Sequence, residues 1–220
     1  MRIYAVADIH GRPEKLAKIR THTERRNPDV IVVAGDITNY FNTDGVVCEL
    51  ASLSVPVLAI RGNTDLPKVN RLFESFPNVI GLHLNPTIVS DRIIIGIDGT
   101  IAVPFRSRLA FREKRLRNYV KAHLDEGSIL VAHPPPLGTL DLAFGRFHVG
   151  SRCVAQIVRE SEPLLLICGH IHEHSGTAPL GKTLVVNASM NRKSSGAIID
   201  IQADRSLHVE ILGVDAGMTP

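Results

Sequence analysis

The chain has 220 residues, 44% of them apolar and 21% charged, a size and balance that suit one globular α/β domain spanning residues 1–220. Aromatics make up 5% with no Trp, the net charge is +3 and the isoelectric point lies near 8.9. These values argue against a stacking platform or a dense basic stripe for nucleic acid, and they suit a small anionic substrate.

The chain opens on strand-like RIYAVAD without a charged leader, and no apolar run approaches the roughly 18 residues of a membrane span; a cytoplasmic protein is expected. A first strand over Ile3–Ala7 leads to a helix over Pro13–Arg26, with Leu16, Ile19 and Ala17 on its apolar side. A strand over Val30–Ala34, a helix over Thr43–Leu53 and a strand over Val57–Ile60 follow. Next comes a helix over Pro67–Ser75, for which Asp65 is the expected N-cap. The runs between Asn78 and Gly99 have no helical pattern between them and read as an antiparallel portion. A basic helix over Leu109–Glu126, strand SILVAH, a Pro-rich loop, a helix over Gly150–Arg159 and strand LLLIC come next, and the tail is all strands. Cys48, Cys153 and Cys168 are odd in number and far apart, and they read as reduced, mostly buried thiols. The order predicts two mixed sheets face to face with helices outside.

The chemistry lies at the strand ends. IYAVA ends in Asp8-Ile9-His10, VIVVAG in Asp36, VLAIRG in Asn63, ILVA in His133, and LLLICG in His170-Ile171-His172. Sites in α/β sheets form at the carboxyl ends of strands, so these seven side chains can converge. Each alone has an ordinary explanation: a strand-end His is commonly a hydrogen-bonded structural residue, an Asp before a helix a cap, and Gly35, Gly62 and Gly169 plain turn residues. Five strand ends carrying ligand types in series do not. Residues two apart on an extended segment point to one side, which pairs Asp8 with His10 and His170 with His172. Seven ligands exceed one tetrahedral site and suit two ions about 3.5–4 Å apart sharing a carboxylate. Imidazole, carboxylate and amide donors without thiolate favour two divalent ions such as Mn, Fe, Zn or Ni, Mn first.

The series D-x-H, G-D, G-N, a later strand-end His and G-H-x-H, from Asp8 to His172, resembles the calcineurin-like metallophosphoesterase family. The resemblance implies a four-layer α/β/β/α sandwich. It implies a first metal held by Asp8, His10, Asp36 and His172, and a second held by Asp36 as bridge, Asn63, His133 and His170. His174 matches no ligand position and is expected at the rim. With two aspartates against two divalent ions, such a site stays positive and attracts phosphate. A hydroxide between the ions is then expected to attack phosphorus in line with the leaving oxygen, with no protein nucleophile.

One position departs from the family pattern. Where the family has G-N-H-D/E, this chain has GNTD, so Thr64 replaces the His that, as the resemblance implies, protonates the leaving group or holds the phosphate. Together with the loop AHPPPLGTLD…HVGS, this is similar to the Icc-type branch and implies a phosphodiesterase. The alternatives are a phosphomonoesterase acting on a nucleotide or other small phosphate, and a metal-binding scaffold with little turnover. The expected partner is a small phosphoester, a nucleotide among the candidates, with no membrane; self-association is compatible with the sequence. Beside Asn63 and Thr64, His148 is a candidate catalytic residue, because it precedes a helix N-terminus that suits an anion. Arg106 and Arg108 are candidates to grip phosphate, though they and the run FREKRLR also read as a solvated basic face.

Overall fold

The computed structural model describes residues 1–40, 42–99 and 106–213, and the side chains within those ranges other than those of 106–113. Arg106 and Arg108 therefore lie, as side chains, outside the described residues. The chain runs β1 (Arg2–Val6), α1 (Pro13–Arg26), β2 (Val30–Ala34), α2 (Thr43–Ala51), β3 (Val57–Ile60), α3 (Lys68–Phe73), β4 (Val79–Gly81), β5 (Thr87–Val89) and β6 (Arg92–Ile97). It continues through α4 (Arg106–Lys121), β7 (Ile129–Ala132), β8 (Leu142–Ala143), β9 (Phe147–His148), α5 (Arg152–Ser161) and β10 (Leu165–Cys168). A 3-10 turn (His172–His174), β11 (Gly176–Leu180), β12 (Thr183–Asn187), β13 (Ser194–Ile201) and β14 (Leu207–Gly213) complete it.

Two six-stranded mixed sheets result, ordered β14-β13-β1-β2-β3-β4 and β11-β12-β10-β7-β6-β5. Each has four parallel strands: β1 to β4 in one, and β6, β7, β10 and β12 in the other. Antiparallel strands flank both sets. Alternation along the strands divides the core. Ile3, Ala5, Val30, Val32 and Leu58 face Ile129, Val131, Leu165 and Ile167 between the sheets. The opposite faces carry Tyr4, Ile31 and Val33 against Leu16, Ile19 and Leu50 of α1 and α2, and Leu130 and Leu166 against Val154 and Ile157 of α5. Strands covered on both faces must be apolar throughout, which is why VIVVA shows no alternation in its sequence. The expected four-layer α/β/β/α sandwich is what forms.

Local chemistry explains the helix ends. Pro13 starts α1, where its missing N–H costs nothing, and Asn27 ends it in the left-handed conformation with its N–H on Thr23 O. Ser151 caps α5 by accepting from Val154 N.

Three expectations are corrected. The 78–99 region is antiparallel only at β5–β6, since β4 extends the first sheet parallel to β3. The helix expected over Pro67–Ser75 forms as the shorter α3, and Asp65 does not cap it. Cys48 is exposed, because it falls on the outer side of α2, whereas Cys153 and Cys168 are buried.

One buried polar contact ties β1 to the start of β13. Tyr4 is fully buried and its hydroxyl donates to Ser195 O at 2.7 Å. Burial also pushes its phenol pKa up, so it stays neutral. Tyr4→Phe removes the donor and leaves that carbonyl short of a partner, so unfolding in urea should show a loss of about 1–2 kcal/mol. An unchanged midpoint would mean that the contact contributes nothing.

Candidate metal centre

The seven predicted side chains come from loops following β1, β2, β3, β7 and β10, so both sheets contribute their carboxyl ends to one crevice. A backbone seam closes it. The chain beyond β12 leaves its own sheet and pairs with the extension of β1, through Ala7 N to Ala188 O at 3.0 Å and Met190 N to Ala7 O at 3.0 Å. Gly169 sits in this seam, where an added Cβ would collide with Ala7 and lie 2.8 Å from Asp8 Oδ2. Gly35 has φ +91°, and a Cβ there would stand 2.6 Å from His133 Nδ1. A side chain at either position would push the site apart.

Asp8, His10, Asp36 and His170 all adopt positive φ, between 51° and 72°. Asp and His tolerate this region better than most residues, yet each such residue costs on the order of 1 kcal/mol or more. This alters the expected basis of pairing. Asp8 and His10 share a side through left-handed turns rather than an extended segment, and His172 begins a 3-10 turn.

The side chains form two groups. His10 Nε2 lies 3.9 Å from Asp8 Oδ1 and 3.9 Å from Asp36 Oδ2, and His172 Nε2 lies 3.2 Å from Asp8 Oδ1. The His10 and His172 rings are 5.5 Å apart. On the other side, His133 Nε2 lies 3.5 Å from Asp36 Oδ1 and 3.0 Å from Asn63 Oδ1, and the His133 and His170 rings are 5.0 Å apart. Asp8, His10 and His172 thus bring one ligand atom each within metal-binding range, as do Asp8, Asp36 and His133.

Two details fit this donor set to cations. Asp8 Oδ2 accepts from His170 N at 2.9 Å and lies 2.7 Å from Ser189 Oγ, while Asp8 Oδ1 is buried without a hydrogen bond. His133 Nδ1 is 2.8 Å from Ala34 O, which can only accept, so Nδ1 carries a proton; Nε2, 3.0 Å from Asn63 Oδ1 and 3.5 Å from Asp36 Oδ1, points into a set of acceptors that favours positive charge, on the imidazole itself or on a cation that takes the place of its Nε2 proton. Protein groups alone already pull in that direction. Burial works against the charge on His133, but Asp36, Asp8 and the Ala34 carbonyl outweigh it and push its pKa up to about 9. Burial raises Asp8 and Asp36, yet His172 with His133 and Ser189 holds Asp8 well below the usual range, and His133 with Thr64 N lowers Asp36. The Asp8 contact holds His172 up, while burial lowers His10 and His170.

Sequence reasoning missed much of the support. Asp65, nearly buried, accepts from Ile37 N, Thr38 N, Thr38 Oγ1 and Gly62 N at 2.7–3.0 Å and so locks the loops after β2 and β3 together. Its place as the last residue of GNTD was the available signal. Ser189 and Asn187 hold Asp8 and Ile171 O, and Lys15 Nζ donates to the backbone oxygens of Asp8 and Met190. No motif marked these three.

The Thr64 N–H donates to Asp36 Oδ1 at 2.9 Å, and its hydroxyl donates to Thr38 O at 2.6 Å. His148 is exposed on β9, with Nδ1 2.8 Å from Asp141 Oδ1. The buried Asp141 carboxylate also accepts from Gly138 N and Gly150 N. His174 belongs to neither group of candidate ligands among the described residues. Lys114 and Arg115 of the basic helix are exposed.

The chain is similar to known proteins in sequence and in fold. The chain is 30% identical to the uncharacterized protein MJ1162 of Methanocaldococcus jannaschii over 201 residues, covering 86% of this chain and 88% of that protein. Its fold is similar to that of a dimetal phosphatase from Danio rerio, with TM-score 0.68, 14% identity and coverage of 97% and 96% of the two chains. It is also similar to that of an archaeal phosphodiesterase, with TM-score 0.51, 15% identity and coverage of 96% and 100%. Residues 1–174 match the calcineurin-like phosphoesterase family across all five motif segments, and the chain belongs to that family.

Proposed function

We propose that the protein is a dinuclear-metal phosphodiesterase. The carrying observation is the position of Asp36, whose two oxygens face different histidines, Oδ2 toward His10 and Oδ1 toward His133. A carboxylate so placed suits the bridge between two ions. In this reading Asp8, His10, Asp36 and His172 hold one ion, and Asp36, Asn63, His133 and His170 hold the other. When bound, the ions supply Lewis-acid stabilisation of a phosphate and a water acidified toward neutral pH, with Mn the favoured metal. Asp8 is kept ready for this by Ser189 and the His170 N–H, which occupy Oδ2 and leave Oδ1 free. Ala34 O keeps His133 in the tautomer that presents Nε2.

The preference for diesters rests on Thr64. Its hydroxyl has one proton, and that proton is engaged with Thr38 O. It has none to give to a departing oxygen, so the leaving group departs as an anion or takes its proton from water. The expected substrates are small phosphodiesters with good leaving groups, nucleotide esters among them. The fold shared with a phosphodiesterase and a dimetal phosphatase is consistent with this reading.

Asp36→Asn should lose both ions and nearly all activity; elemental analysis finding two ions per chain in that variant would refute the bridge. Ala at His170 or at His172 should lower activity by at least about 100-fold through misplaced ligands, and Ala at His174 should cost little. Equal losses at all three would remove the distinction drawn between them.

Rates on a series of aryl and alkyl diesters should fall steeply as leaving-group pKa rises. Thr64→His should flatten that slope and raise rates on poor leaving groups, since general acid help is typically worth about 10²–10⁴-fold. A wild-type slope near zero, with chemistry shown to limit turnover, would mean that another group supplies the proton.

A further inference from the structure

A cleft of about 520 Å³ adjoins the metal centre, with His172 as their shared wall. That volume is in the range of small-molecule sites. Its far wall is the loop from Asn191 to Ser194, and Asn191 builds the connection. The Asn191 amide Nδ2 donates to His172 O at 2.6 Å and to Ser175 Oγ at 2.9 Å. Its Oδ1 accepts from Lys193 N at 2.7 Å and from Ser194 N at 2.9 Å. One side chain thus fixes the loop carrying Arg192 and Lys193 against the turn carrying a candidate ligand.

Arg192 and Lys193 line this cleft, are exposed, and form no ion pair with a described residue. Glu173 is the carboxylate on the cleft, so two cations stand against one acid, and Ile211 adds an apolar contact. A guanidinium and an ammonium held beside a phosphoester site suit a second phosphate, one by its planar fork and the other as a point charge.

We infer that this cleft is a subsite for a second phosphate on the substrate's non-leaving portion, taken by Arg192 and Lys193 while the scissile phosphate lies over Asp8 and Asp36. The inference rests on the phosphodiesterase reading and narrows it to small diesters that carry a further phosphate, such as esters of nucleoside bisphosphates. A polynucleotide fits less well, because the net charge is only +3 and the chain has no Trp to stack bases.

Calorimetric titration of the Mn²⁺-loaded protein with thymidine 3′,5′-bisphosphate and with thymidine 5′-monophosphate tests it by binding alone. The bisphosphate should bind at least ~10-fold more tightly, a difference that shrinks at high salt. Arg192→Gln with Lys193→Gln should bring the ratio near one, and Lys193→Arg should keep it. Equal affinities in the wild type, or a ratio indifferent to the double substitution, would overturn the subsite. A single-stranded oligonucleotide that outbinds the bisphosphate would also overturn it, in favour of a polynucleotide ligand. Turnover of thymidine 5′-(4-nitrophenyl phosphate), with and without a 3′-phosphate, is read separately. No nitrophenolate from either ester defeats the diesterase reading, while the binding ratio still decides the subsite.

Discussion

A carboxylate buried at the junction of two sheets governs this molecule. Asp8 is wholly inaccessible, and an ionised group in that position is costly unless something compensates it. Half of the compensation is built in. The Ser189 hydroxyl and the His170 N–H serve one oxygen, while the other faces His172 and His10 without a hydrogen bond. The arrangement makes sense for a group whose second oxygen is reserved for a cation.

The fold pays for that reservation in geometry. To bring Asp8 and Ser189 together, the chain after β12 must cross to the other sheet, and the sheets must approach closely at Ala7 and Gly169. Small residues at this end and branched ones deeper in the intersheet core follow from the same requirement. Four candidate ligands adopt left-handed backbone, which persists because neighbouring loops over-determine it: Asp8 N is held by Gly35 O, His10 N by Asp36 O, and both loops after β2 and β3 by Asp65. Several residues around the centre thus hold four candidate ligands in backbone conformations that they would not favour alone.

The surroundings then shape what such a centre can do. At Thr64 the hydroxyl is bound to Thr38 O and the N–H is a backbone donor to Asp36. In the proposed reading this keeps the positioning of Asp36 without a side-chain proton for the leaving group. Asn191 extends the same rigidity outward, joining the His172 turn to the loop that carries Arg192 and Lys193.

Much was legible in the sequence, because burial along a strand leaves a local signature. VIVVA and VLAI gave β2 and β3 to the residue, α1 was bounded by Pro13 and Arg26, and the ligand types stood at the strand ends in order. What failed was partner choice. Asp65 had the credentials of a helix cap but is held by three donors on the loop after β2 and by Gly62 N on its own loop, and β4 joined the first sheet rather than the strands that follow it. Asn187, Ser189 and Asn191 carried no pattern at all. Residue type and periodicity depend on each segment's own environment, so the sequence by itself determined the layers and the chemistry on offer. Which atoms meet depends on backbone turns and on pairings between residues as distant in sequence as Asp8 and Ser189, and those only the packed tertiary structure decided.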